Sequence, residues 1–177
     1  MRVLIFDTET TALVANSLLA EHHLPQIIEF CGLVYDEEAR LVDELEFFCD
    51  PLRELPAEVT KITGIKTEDV KGQPIFGRME GEVRRLIESC DAIVAHNLSY
   101  DMTVVDVEMR RLEKSVNWPA DRICTVEQTE HLKGHRLRLG DLHELLFGEP
   151  FAGAHRARVD VEALARCYHE LVRRGEI

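Results

Sequence analysis

The sequence predicts an α/β domain, built on a central mixed β-sheet flanked by α-helices, from three observations. Val3, Leu4, Ile5 and Phe6 form a short continuous apolar run, the pattern of a strand covered on both faces. The first half of the chain continues as strands, and the second half alternates a strand with segments of helical spacing. The length of 177 residues suits one domain spanning 1–177, with no repeat, low-complexity tract or Gly/Ser linker to mark a boundary.

The elements follow in order. After the opening strand, "QIIEFCGLVYD" and "LVDELEFFCD" read as an antiparallel pair joined by the polar "EEAR". "PAEVTKITGI" reads as a short helix with Pro56 at its start, and "GRMEGEVRRLIESC" as a longer one. A second apolar strand, "AIVAHN", feeds directly into the helix "SYDMTVVDVEMRRLEK". "ICTVEQT" is expected to be a further strand. "LGDLHELLF" and "VDVEALARCYHELVRR" carry helical spacing, the latter with Val161, Leu164, Ala165, Tyr168, Leu171 and Val172 in one stripe.

Composition narrows the function classes. With 45% hydrophobic and 31% charged residues the chain reads as soluble and globular, and no apolar run approaches a membrane span. Strand character from Arg2 onward leaves no place for a signal peptide. Five cysteines, odd in number and never spaced CxxC, argue against a disulfide framework and a thiolate zinc site. A reducing, cytoplasmic location is the expectation. The net charge of −12 points away from a broad basic footprint for nucleic acid, yet it says little about one local groove. The window His131–Arg158 reverses the balance, with five Lys/Arg (Lys133, Arg136, Arg138, Arg156, Arg158) against three acids.

The chemistry begins with "VLIFDTETT". Residues i and i+2 of a strand point to one side, so Asp7 and Glu9 stand together at the carboxyl end of a central strand, where α/β sheets gather ligands. Two such carboxylates repel unless a positive group joins them. Asp101 falls in the first turn of the helix after the second strand, and Val104 and Val105 on its face turn it toward the sheet. Asp106 falls on another face and is expected to be solvated. In "HRARVD", five residues turn a helix through about 500°, so His155 and Asp160 cannot share a helical face. His155 is therefore expected on a loop, with Asp160 in the first turns of the last helix. Singly, each of these residues also reads as an ordinary turn or helix-start polar group. Together, four oxygen donors without cysteine favour hard cations, Mg²⁺ or Mn²⁺, and two ions would neutralise the paired acids and serve attack on a phosphate ester. A phosphatase of the haloacid dehalogenase type also places two acids after a first strand, but Glu9 and the missing later Lys count against it.

At these residues the sequence resembles the DEDD superfamily of 3′→5′ exonucleases, in the DEDDh (DnaQ-like) branch that includes proofreading epsilon subunits of bacterial DNA polymerase III and RNase T. "FDTETT" is similar to its first motif, "AHNLSYD" to its second and "HRARVD" to its third, and the resemblance covers nearly the whole chain. It implies an RNase H-like fold and metal-dependent phosphodiester hydrolysis. In that scheme Asp7 bridges two ions, Glu9 and Asp160 complete one site, and Asp101 holds the second. His155 is the general base on the attacking water, a role suited to the side chain that ordinarily titrates near neutrality. The expected products are nucleoside 5′-monophosphates from the 3′ end of a single strand, DNA first and RNA as the nearest variant. Thr10, Thr11, Ala12, Leu13, Asn97 and Tyr100 are candidate contacts for the terminal nucleotide, and Lys133, Arg136, Arg138 and Arg156 for the phosphate backbone. Ala12 stands where members usually carry glycine, which bears on substrate fit. The chain ends soon after Asp160 without the tail that tethers epsilon subunits, so a free-standing enzyme or one loosely associated with a polymerase is expected. A non-catalytic binding module that kept the fold is the reading from another class, and it would have lost metal acids that are all present here.

Overall fold

The computed structural model describes residues 1–12 and 24–177. Leu13, a candidate substrate contact, lies outside the described residues. Five strands, β1 (Val3–Thr10), β2 (Ile27–Tyr35), β3 (Leu41–Phe48), β4 (Ala92–Ala95) and β5 (Asp121–Cys124), form one sheet in the order β3-β2-β1-β4-β5. β1 is antiparallel to β2 and parallel to β4, so the sheet is mixed as the sequence implied. The connections explain why. β2 and β3 are joined by a tight turn in which Asp36 Oδ1 accepts the amides of Glu38 and Arg40, at 3.0 and 2.9 Å, and a turn that short can only return an antiparallel partner. β3 reaches β4 through three helices, α1 (Ala57–Thr63), α2 (Thr67–Val70) and α3 (Phe76–Glu88), long enough for a parallel crossover beside β1.

The alternation of β1 feeds two cores. Leu4 and Phe6 pack with Phe30, Val83, Leu86, Val104, Val105 and Met109, that is, against α3 and α4 (Leu98–Arg111). Val3 and Ile5 face the other way, onto Val161, Leu164, Ala165 and Tyr168 of α7 (Ala157–Arg174). Each fully buried Leu, Ile or Phe contributes roughly 1.5–3 kcal/mol, so these two clusters hold the layers to the sheet. α6 (Leu139–Phe147) packs on α7 through Leu142, Leu146, Cys167 and Leu171. Among the described residues no helix is long and apolar enough to cross a membrane.

Three expectations are corrected. "ICTVEQT" is strand only to Cys124, because its partner β4 ends at Ala95 and offers no further ladder; Thr125–Gln128 turns into the short helix α5. Val172 is 48% exposed, since it lies past the sheet in an open cleft with Met1 and Tyr35. Asp106 is not simply solvated: its Oδ1 accepts the indole N–H of Trp118 at 2.9 Å, and that indole stacks on Phe6.

Candidate active site

The site exists because β1 outruns β4. The two strands pair only from Val3 to Ile5, whereas β1 continues along β2 to Thr10. From Asp7 onward one edge of β1 therefore has no strand beside it. Beyond Ala95 the chain turns through Asn97, left-handed at φ 81, and starts α4, which brings Asp101 over that gap. Asp101 is 2% exposed, and its Oδ1 accepts both the amide (3.0 Å) and the hydroxyl (2.7 Å) of Thr8. A backbone group that the sheet leaves unpaired is thus satisfied by a functional side chain.

Asp7 and Glu9 point toward α7. That helix opens at Ala157, and Asp160 sits in its first turn. His155 lies just before the helix, exposed, with a left-handed backbone (φ 70), and its amide donates to Asp160 Oδ2 at 2.9 Å. Loop placement of His155 and helical placement of Asp160 agree with the sequence expectation. Ligand atoms of Glu9, His155 and Asp160 lie within 4.8 Å of one another.

Electrostatically this is a cluster of buried acids that raise one another's pKa. Burial drives the Asp7 carboxyl well above the usual carboxylate range, and the charges of Asp101, Glu9, Asp160 and Glu29 push the same way. Glu9 is raised to about 8 by burial and then by Asp160, Glu29 and Asp101, with Arg156 pulling it down. Asp101 is raised to about 7 by burial, against the lowering effect of the Thr8 hydrogen bonds. Asp160 is also raised, by burial. Its Oδ1 is buried with no hydrogen-bond partner, an acceptor whose cost a cation would remove. A donor set of carboxylate oxygens without a thiolate fits Mg²⁺ or Mn²⁺.

Beside Glu9 and His155 opens a groove of about 590 Å³. Its walls are Thr8 to Ala12 at and just past the end of β1, a face of α1 that includes Val59 and Ile62, and the side chains of Tyr100 and His155. The candidate contacts divide within it. Tyr100 shares a 2.6 Å hydrogen bond with Thr10, and both hydroxyls reach the Ala12 carbonyl, at 3.1 and 2.8 Å. Burial pushes the Tyr100 hydroxyl up to about 12, so it stays a neutral donor. Thr11 Oγ1 accepts the Gln26 amide and the Arg53 guanidinium, at 3.0 and 2.7 Å, so its hydroxyl is already engaged within the protein. Asn97 is exposed and is not one of the groove's walls. Arg156 does not stand free for phosphate: its Nε and Nη2 bind Glu29 at 3.0–3.3 Å. Arg136 lies 3.7 and 3.8 Å from Glu127 and Glu130. Lys133 lines a separate cavity with His135, Asp141 and Glu144, sharing no lining residue with the groove.

Two residues of the site escaped the sequence reading. Thr8, between two acids, carries no sequence signal of its own although it fixes Asp101. Glu29, 1% exposed and directly across the ladder from Glu9, accepts Arg156 and the Ala157 amide (3.0 Å), which clamps the start of α7. Its signal was a lone acid inside the apolar run of β2.

Residues 4–168 match the RNase_T family, described as "Exonuclease". The chain belongs to this exonuclease family. As a member of an exonuclease family it is a hydrolase of phosphodiester bonds. Among curated proteins it is 31% identical over 176 residues to a PolC-type DNA polymerase III of Listeria innocua, covering 96% of this chain and 11% of that one. It is 28% identical to the DNA polymerase III epsilon subunit of Pasteurella multocida, covering 94% of this chain and 66% of the subunit. The chain thus spans about a tenth of the PolC-type relatives. Among solved structures, the nuclease domain of 3′hExo, a DEDDh family member bound to rAMP, has a TM-score of 0.79 at 15% identity, covering 98% and 92% of the two chains. That likeness is one of fold, and it matches the expected RNase H-like sheet.

Proposed function

We propose that the chain is a 3′→5′ exonuclease that releases nucleoside 5′-monophosphates from the 3′ end of single-stranded nucleic acid, with DNA as its preferred polymer. The observation that carries this reading is the clustering of four carboxylates from β1, α4 and α7, with His155 beside Glu9 and Asp160, and with Glu9 and His155 lining an open groove. Asp7, Glu9, Asp101 and Asp160 would hold two divalent ions, Mg²⁺ or Mn²⁺, which when bound clamp the attacking and leaving oxygens and neutralise the charge that develops.

The chain's own groups do the rest. His155, exposed beside Glu9 and Asp160, takes the proton of the attacking water, and its ring nitrogen lies close enough to the carboxylates for one water to span them. Thr8 keeps Asp101 in place. Val59, Ile62 and the Tyr100 ring offer the terminal base and sugar an apolar wall, and stacking of this kind tolerates any base. The acid floor repels a phosphodiester by itself, so the reaction depends on cations from the first step.

DNA is favoured because the curated relatives are DNA polymerase III proteins, and the same relatives favour a polymerase as companion and a proofreading or repair setting. RNA ends are the second reading, supported by the shared fold of a nuclease domain bound to rAMP. The test is incubation with 5′-labelled single-stranded DNA and RNA of one sequence, with Mg²⁺, with Mn²⁺ and with chelator. A cation-dependent ladder shortening from the 3′ end, faster on DNA, is expected. A ladder on RNA alone would reverse the polymer preference, and intact polymers with cation bound would refute the proposal.

A further inference from the structure

His143 lies on α6, outside the groove, and is 1% exposed. Its Nδ1 is 2.9 Å from the carbonyl oxygen of Glu149. A carbonyl only accepts, so Nδ1 carries the proton and Nε2 is left an acceptor, buried with no partner. Space in an apolar pocket is filled at lower cost by a leucine, which leaves no acceptor unsatisfied. What the histidine adds is the bond to Glu149, and that bond lands on segment 148–156, which joins α6 to α7 and carries His155. The same ring lies 5.4 Å from the ring of Phe151, further along the segment. At the segment's far end Glu29 grips Arg156 and the Ala157 amide. Between the two anchors the backbone makes left-handed turns at Gly153 (φ 85) and His155 (φ 70).

We propose that His143 is a positioning residue for the hydrolysis. It sets where the segment leaves α6, and so where His155 stands over Glu9 and Asp160, acting through the Glu149 carbonyl and Phe151. This inference rests on the exonuclease reading above.

The test compares His143→Leu, which keeps bulk and loses the donor, with His143→Asn, whose amide nitrogen takes the place of Nδ1. His143→Leu is expected to lower kcat about tenfold, with KM and the Mn²⁺ midpoint unchanged, and His143→Asn to recover kcat to within about threefold of the parent. Amide exchange in 150–155 should quicken in His143→Leu, with β1 and α4 as in the parent. A folded His143→Leu with kcat within about twofold of the parent overturns the proposal, as does an asparagine variant no better than leucine. So does a joint change of KM, cation midpoint and exchange across β1, which would mark general packing. If His143→Leu fails to fold, Phe151→Ala replaces it; the same kcat loss supports the proposal and unchanged kcat overturns it. If the parent protein degrades neither polymer, the exonuclease reading fails, and the exchange comparison alone decides whether His143 anchors the segment.

Discussion

The floor of the groove and the segment that carries His155 hold their chemistry by different means. Asp7 and Glu9 belong to the middle strand of the sheet, paired with β2 on one side, and Asp101 is fixed by two hydrogen bonds to Thr8. His155 stands exposed on a segment secured at its ends, with a single amide bond to Asp160. The contrast separates two tasks. Charges close enough to repel one another sit on a paired central strand and on a helix start held by Thr8. His155, the proposed proton acceptor, sits where solvent reaches it.

Substitutions that act on one region and spare the other break or sharpen this comparison. The largest effect is expected from Asp7→Asn, which should reduce cation-dependent cleavage to background in a single-turnover assay while the ion-free protein melts no lower than the parent. Next, His155→Ala should cost about 10²–10⁴-fold in kcat, the usual worth of a general base, and leave the thermal response to Mn²⁺ in place. Thr8→Val keeps shape and removes one bond to Asp101; a loss of about 1.5 kcal/mol corresponds to roughly tenfold in kcat/KM.

The last prediction concerns stability and not rate, and is one of pH on the ion-free protein. The folded-state pKa of Glu9, about 8, stands above its ordinary 4.5. Across that interval the folded protein keeps a proton that the unfolded chain has released. The associated stability is therefore full below about pH 4.5 and lost as pH rises through about 8, with Asp101, raised to about 7, adding the same sign. The melting temperature in chelator should fall over this range, and saturating Mn²⁺ should flatten the decline by lowering both pKa values. A melting temperature that rises with pH in chelator would contradict the picture of buried acids that raise one another's pKa.

Much of the site was legible because its residues are marked by type and local order. Asp7 and Glu9 follow an apolar run, Asp101 opens a helix whose apolar face turns it inward, and the five-residue step from His155 to Asp160 excludes a shared helical face. Identity and period suffice for such inferences. What could not be read is set by contacts between distant parts of the chain. Arg156 looks available for phosphate until Glu29, 127 residues away in sequence, is found beneath it. Thr8 looks like a spacer until the short reach of β4 leaves its amide for Asp101. The strand end at Cys124 depends in the same way on where β4 stops.

The central claim is that the four carboxylates bind divalent cations independently of His155. Calorimetric titration of Mn²⁺ into the parent protein, Asp7→Asn and His155→Ala tests it most directly. Binding retained in His155→Ala and lost in Asp7→Asn is the expected result. Cation binding that survives Asp7→Asn, or vanishes with His155→Ala, would contradict the division between a charge-holding floor and a proton-accepting loop.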